Sequence, residues 1–285
     1  MKRMLSNGLE IPPIGFGCSH ASQADVELAL AMGYRMLDTA AFYGNERAVG
    51  AAIRSCGLRR EDIFVTTKLW NTDQGYENAT VAFNESRRRL DLEYVDLYLI
   101  HWPAPRIDLY RESWKALTEI AKAGSAKSIG VCNFGEREIT DLIDETGWKP
   151  AVNQVEFHPG FAQQGLKAFH DQIEIVTMAW SPLGQGKGLL DLPEIVEMAT
   201  SLGRTAAQVV LRWHIQLGII PIPKSSSESR MSENLQVFDF ELDESQMSTL
   251  TWFPGQSRLG PDPERFSGRK LFIPADDDSS DLAAG

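Results

Sequence analysis

The feature that most constrains this chain is a regular alternation, along its 285 residues, of short apolar runs and amphipathic stretches. The apolar runs fall at 14–17, 35–39, 63–68, 95–102, 128–132, 152–156, 173–180 and 219–223. Stretches with helical periodicity separate them, as at 23–32, 78–90, 110–122 and 136–144. A strand that is apolar on nearly every residue cannot belong to a sheet with one wet face, so both faces must be covered. Eight β-then-α units predict a parallel sheet wrapped in helices, and eight strands close on themselves as a (β/α)8 TIM barrel. The length is near the roughly 250 residues of such a barrel, so residues 1–285 are read as one domain.

A doubly wound nucleotide-binding sheet is the main rival, and it would carry Gly-x-Gly-x-x-Gly at its first turn. Here Gly15-Phe16-Gly17 runs into Cys18-Ser19-His20 with no third glycine, and no P-loop pattern occurs. Ahead of the first strand, Asn7-Gly8 between apolar flanks predicts a hairpin with a two-residue turn, expected to close the barrel bottom. At the other end, residues 252–269 are expected to fold over the mouth. Residues 276–285, with Asp276, Asp277, Asp278 and Asp281, read as a solvated acidic tail.

Composition removes several function classes. The net charge of −11 argues against binding nucleic acid or anionic membranes. No run of about 18 apolar residues suggests a membrane span, and the first residues are too weakly apolar for a signal peptide. Cys18, Cys56 and Cys132 form no Cys-x-x-Cys pair, and the five histidines show no ligand spacing, so neither a disulfide framework nor a metal site is expected. A cytoplasmic monomer acting on a small molecule is the expectation.

Barrel enzymes carry their chemistry at the C-terminal ends of the strands. Those ends hold Asp38, Lys68, His101, Asn133 and Trp180, with Gln154 inside the sixth strand and Lys224 after the last. Taken singly, Asp38 reads as a cap for the next helix, Lys68 as a surface residue and His101 as a packed side chain. Taken together, three polar residues at the ends of three successive strands converge on one mouth. A lysine buried there needs a partner, because an isolated buried charge costs several kcal/mol, and Asp38 is the natural one. An ammonium nearby favours phenolate, so Tyr43, five residues after Asp38, is expected below its ordinary value of about 10. A drop of about two units corresponds to about 2.7 kcal/mol. The result is a general acid able to protonate a carbonyl oxygen, with His101 orienting that oxygen.

At this point the strings resemble the aldo-keto reductase family. Asp38-Thr39-Ala40-Ala41-Phe42-Tyr43-Gly44-Asn45-Glu46, Thr66-Thr67-Lys68-Leu69-Trp70-Asn71, Leu97-Tyr98-Leu99-Ile100-His101-Trp102-Pro103 and Ile222-Pro223-Lys224-Ser225 match in the family's order. Within the family, the chain is most similar to the prokaryotic 2,5-diketo-D-gluconate reductase group, through Trp180-Ser181-Pro182-Leu183-Gly184-Gln185-Gly186 and the short segment after His101. The resemblance implies a catalytic tetrad of Tyr43, Lys68, Asp38 and His101, and a nicotinamide cofactor extended across the mouth. Asn133 and Gln154 would then hold its carboxamide and Trp180 would stack on its ring. The 181–186 loop, with Ser181, Leu183 and Gln185, would approach the pyrophosphate. Lys224, Ser225, Ser226 and Arg230 would take the adenosine phosphate, and Glu233 and Asn234 would lie near the adenine. Two cations six residues apart with hydroxyls between suit a 2′-phosphate, which favours NADPH over NADH.

Two positions depart from the family's pattern. Cys132 stands where a serine usually precedes the carboxamide-binding Asn133, and the segment 18–23 is shorter than in relatives. Phe42, Trp70 and Trp102 are candidate walls of the substrate pocket. Arg258, Arg265 and Arg269 are candidates for meeting an anionic substrate such as a keto-sugar acid. The implied reaction is reduction of a small aldehyde or ketone to the alcohol. The alternative is a cofactor-binding regulatory or structural barrel without turnover, against which the intact tetrad weighs. A barrel isomerase or aldolase without nicotinamide leaves Trp180 and the 224–230 cluster unexplained.

Overall fold

The computed structural model describes residues 3–254 and 257–268. A hairpin of β1 (Arg3–Met4) and β2 (Glu10–Ile11) opens the chain. There follow eight parallel strands: β3 (Phe16–Gly17), β4 (Met36–Asp38), β5 (Phe64–Leu69), β6 (Val95–Ile100), β7 (Ala126–Cys132), β8 (Val152–Glu156), β9 (Val176–Trp180) and β10 (Ile220–Pro221). They are hydrogen-bonded in sequence order. The sheet closes into a barrel where the Gly15 N–H donates to the Pro221 carbonyl at 3.1 Å and the Gly17 N–H to the Pro223 carbonyl at 2.9 Å. The expected strand at 219–223 shrinks to two residues because Pro221 and Pro223 lack the N–H a ladder needs.

Helices α1 (Gln23–Met32), α2 (Glu46–Ser55), α3 (Tyr76–Leu90), α4 (Tyr110–Lys122), α5 (Glu136–Thr146) and α6 (Gln164–Gln172) follow strands β3 to β8 in turn. Helices α7 (Pro193–Leu202) and α8 (Ala206–Gln216) lie between β9 and β10, and α9 (Glu228–Leu235) and α10 (Glu244–Thr251) follow the last strand. Local signals start several of them: Ser22 with Asp25, Thr205 with Gln208 and Asp243 with Gln246 each form a reciprocal capping box.

Strand periodicity sorts the side chains into two layers. Leu37, Val65, Tyr98, Ile100, Ile129 and Val131 face outward into a core shared with the helices. Met36, Phe64, Leu97, Leu99, Val152, Val176, Met178, Ile220 and Ile222 face inward and fill the barrel. Leu5 and Ile11 of the hairpin belong to this inner cluster and seal the bottom. Two residues further up β4 and β8, and four further up β5, this apolar filling gives way to Asp38, Gln154 and Lys68, so the polar groups lie toward the C-terminal ends. The hairpin turn is one residue longer than expected: the Leu5 N–H pairs with the Leu9 carbonyl, leaving Ser6, Asn7 and Gly8 between, with Gly8 at φ 82°. The Asn7 side chain uses that turn to donate to the Lys127 carbonyl at 2.9 Å, tying the hairpin to β7.

Among the described residues no helix is long and apolar enough to cross a membrane, and no cluster of metal-ligating side chains occurs. The acidic tail at 276–285 lies outside the described residues.

Candidate active site

The turn after β4 is clamped from three sides. Thr39 Oγ1 donates to Asn45 Oδ1 at 2.9 Å, and Asn45 Nδ2 donates to the carbonyls of Cys18 at 2.7 Å and Ala21 at 3.1 Å. Glu46, buried at the start of α2, accepts from the Thr67 hydroxyl and the Arg89 guanidinium, both at 2.6 Å. The single 3-10 turn Ala41–Tyr43 is thereby fixed above the ends of β4 and β5.

Beneath Tyr43, Lys68 is completely buried. Its Nζ lies 2.5 Å from Asp38 Oδ1, donates to the Thr39 carbonyl at 3.1 Å and stands 5.2 Å from the Tyr43 ring centroid. The other carboxylate oxygen of Asp38 accepts from Gln154 Nε2 at 2.7 Å. Asp38 is therefore no helix cap, and Lys68 no surface residue. The His101 ring stands edge-on to Tyr43, centroids 5.9 Å apart. The structure thus brings a phenol, an ammonium, a carboxylate and an imidazole to one place.

Burial corrects one electrostatic expectation. It pushes the Tyr43 phenol above its ordinary value and outweighs the nearby Lys68 ammonium, which pulls the other way. The proton is therefore held on Tyr43 rather than loosened. Burial also works against the charge of Lys68, but the Asp38 carboxylate, with Tyr43, wins and pushes the ammonium up. Burial and then Lys68 hold His101 well below 6.5, so the imidazole is neutral near pH 7. Its Nδ1 is buried and has no hydrogen-bond partner among the described residues. Burial pushes the Cys132 thiol up as well, so it is not a thiolate.

A cavity of about 1200 Å³ opens above these groups, with Asp38, Tyr43 and His101 in its wall. Its volume exceeds the roughly 300–1,000 Å³ of an ordinary small-molecule pocket, which leaves room for two ligands side by side. On the β4–β6 side the wall is aromatic. Phe42 and Trp70 stack at 3.8 Å, and Trp102 lies 4.6 Å from Phe266. Toward β7–β9 the wall carries Cys132, Asn133, Gln154 and Trp180. The Trp180 indole N–H donates to Asn133 Oδ1 at 2.8 Å, and Asn133 Nδ2 donates to the His101 carbonyl at 3.1 Å. Asn133 sits at φ 63°, a conformation that asparagine tolerates better than most side chains. Beyond them come Ser181, Leu183, Gln185, Lys224, Ser225, Arg230, Glu233 and Asn234.

Other expected residues fall elsewhere. Ser226 does not line the cavity. The Ser225 hydroxyl is engaged with the backbone of Ser227, at 3.0 and 3.2 Å. Arg258 covers the Phe161 ring at 4.6 Å, and the exposed Arg265 lies 3.7 Å from Asp262. Neither reaches the cavity, and Arg269 is outside the described residues. Sequence reasoning missed Phe266, His20 and the start of α8 at Thr205 as cavity residues. Only Thr205 had a local signal, its capping box with Gln208.

A closed barrel with this constellation at its C-terminal mouth defines a class, and the sequence agrees with it. The Aldo/keto reductase family profile matches residues 19–253, and the chain belongs to that family. The methylglyoxal reductase of Escherichia coli (strain K12) is 45% identical over 269 residues, covering 93% of this chain and 97% of that protein. A crystal structure of the aldo/keto reductase from Brucella melitensis superposes with a TM-score of 0.84 at 45% identity, covering 88% of this chain and 98% of that one. The Bombyx mori aldo-keto reductase, solved in complex with NADP, gives a TM-score of 0.83 at 33% identity, covering 88% and 92%.

Proposed function

We propose that this protein reduces a small aldehyde or ketone to the alcohol with a nicotinamide cofactor, using NADPH in preference to NADH. The observation that carries this reading is the meeting of Tyr43, Asp38 and His101 in the wall of a cavity that also exposes Lys224 and Arg230, with Lys68 buried behind them on Asp38. The Bombyx mori neighbour in complex with NADP supports the choice of cofactor.

The residues present fit such a cofactor. Trp180 offers a flat face whose plane is set by its bond to Asn133. Asn133 keeps one amide N–H for a carboxamide, and Gln154 keeps its carbonyl oxygen and one N–H. Ser181, Leu183 and Gln185 would cover the pyrophosphate, while Glu233 and Asn234 would border the adenine. Lys224 and Arg230 would meet a 2′-phosphate, which is where discrimination against NADH arises.

A bound dihydronicotinamide supplies the hydride that reaches the carbonyl carbon. Tyr43 gives its proton to the carbonyl oxygen, so the alcohol forms with its new C–H and O–H bonds. Burial holds the proton on Tyr43 until that oxygen becomes basic. The phenolate then left behind faces the Lys68 ammonium, which Asp38 keeps charged. A preorganised cation beside developing negative charge lowers the barrier without reorganisation. Neutral His101 donates a hydrogen bond to the substrate oxygen and orients it. Phe42, Trp70 and Trp102 exclude water and hold the apolar part of the substrate.

The name of the Escherichia coli relative makes α-dicarbonyls worth including beside simple aldehydes, β-keto esters and diketogluconate. With NADPH and this panel, cofactor absorbance should fall for at least one carbonyl. Tyr43→Phe should bind NADPH normally and lose about 10²–10⁴-fold in turnover, the usual size of general acid catalysis. Near-normal turnover by that variant would remove Tyr43 from its role. No oxidation across the panel would favour a barrel that binds cofactor without turnover.

A further inference from the structure

We propose that Glu156 is a positioning residue for this reaction: its carboxylate pins the backbone at 259–260 against the edge of Trp180 and so sets the roof of the substrate pocket. The proposal rests on the reductase reading for what the roof does, but not for the anchor itself.

Glu156 ends β8, two residues beyond Gln154, and is fully buried. It does not face the cavity, so it can reach a substrate only through something else. Nor does it hold a lysine or arginine among the described residues. Its Oε1 accepts from the Leu259 N–H at 2.5 Å and lies 3.0 Å from His158 Nε2. Its Oε2 accepts from the Gly260 N–H at 3.0 Å. Burial works against its charge, yet the bonds from His158, Leu259 and Gly260 hold the carboxyl below its ordinary value. A buried carboxylate is thus committed to two backbone amides more than 100 positions away in sequence.

Those amides belong to a strap across the mouth. At Gly260 a Cβ would fall 2.4 Å from the Trp180 ring, so only hydrogen fits between strap and indole. Further on, Phe266 packs on Trp102 at 4.6 Å and reaches Trp70 at 6.4 Å. Ser267 Oγ then accepts from the Arg106 N–H at 3.1 Å on the far side. Gly260, Pro261 and Phe266 on this stretch, and Gly268 just past its second anchor, line the cavity. The strap has no regular secondary structure, so its height depends on where its ends are held. The Leu259 carbonyl also accepts from Lys187 Nζ at 3.5 Å, which links the anchor to the loop at 181–191.

The test is Glu156→Gln, which keeps the shape but replaces one acceptor with a donor facing a backbone N–H. Hydrogen exchange at the Leu259 and Gly260 amides, read on the protein alone, should quicken at least about tenfold while β8 keeps its protection. Under turnover with NADPH, the KM for the carbonyl should rise about tenfold while kcat changes less than about threefold and NADPH affinity is kept. Unchanged exchange at 259–260 overturns the anchor, and faster exchange with an unchanged KM overturns the positioning role. Should Glu156→Gln fail to fold, Gly260→Ala decides with Glu156 intact: its methyl lifts the strap from Trp180, and an unchanged KM would overturn the proposal. A wild-type protein that reduces nothing would instead sink the reductase reading and the positioning role with it, leaving the exchange result to report on the anchor alone.

Discussion

Two of the ion pairs sunk into this barrel have neighbours that give them opposite characters. Near the N-terminal ends of the strands, Arg60 meets Asp96 at 2.7 Å. That carboxylate oxygen also accepts from the Val65 N–H at 2.8 Å, and Arg60 donates to the carbonyls of Tyr94 at 3.0 Å and Ile63 at 2.5 Å. The guanidinium lies over the Tyr94 ring at 4.2 Å. The other partners there are backbone groups and a ring, and none of them lines the cavity. Near the C-terminal ends, Lys68 and Asp38 are paired more deeply still, but their remaining contacts are an amide, a carbonyl and a phenol beside a cavity. The same chemistry serves as a rivet at one end and as a tuned charge at the other; what lies next to it decides.

Breaking each pair should separate the two roles. Lys68→Met removes the cation that would face a Tyr43 phenolate, and turnover should drop about 10²–10⁴-fold with NADPH still bound. Asp96→Asn leaves Arg60 without its anion and should lower stability to urea by about 1–3 kcal/mol, moderated by partial exposure, with kcat/KM almost unchanged. If Asp96→Asn abolished turnover in a folded protein, or Lys68→Met left turnover intact, the contrast would collapse.

Acid should sharpen the comparison, because three imidazoles are buried without charge. His101 sits well below 6.5, while burial brings His170 and His214 down to about 4. Each binds its proton more readily when unfolded than when folded. Their contribution is therefore fully present above about pH 6.5 and is lost as pH falls toward 4, at up to about 1.4 kcal/mol per pH unit for each group. Urea midpoints measured at pH 7 and pH 5 should show the drop. His170→Asn should reduce its slope without changing turnover at pH 7, since the His170 ring bonds to Asn153 and Thr177, at 3.0 and 2.9 Å, and does not line the cavity.

Much of this architecture was readable from local pattern. Continuous apolar strands required two covered faces, and Asp38, Lys68 and His101 advertised themselves by falling at successive strand ends. Three things were not readable. The protonation of Tyr43 turned on how completely it is buried, a property of packing rather than of neighbours in sequence, and desolvation beat the ammonium. Phe266 entered the cavity from a segment with no periodicity, and Glu156 found its partners more than 100 residues downstream, where no spacing rule applies. Arginines in that segment suggested an anion site by type alone, but Arg258 and Arg265 point to Phe161 and Asp262.

The contrast extends to the exposed cations. Lys224 and Arg230 are solvated at the cavity wall, so each interacts with a phosphate through water-weakened attraction rather than at the strength available to Lys68. Lys224→Ala should raise the Kd for NADPH by about 10–100-fold, the loss of a charge-assisted contact. NADH, which lacks the 2′-phosphate, should be nearly unaffected, and salt should erode the NADPH preference because exposed charges are screened within about 10 Å at 0.1 M. Equal weakening of both cofactors would mean that Lys224 supports the fold of the wall rather than the phosphate. In that case the contrast between buried and exposed cations would no longer track the difference between proton transfer and cofactor choice.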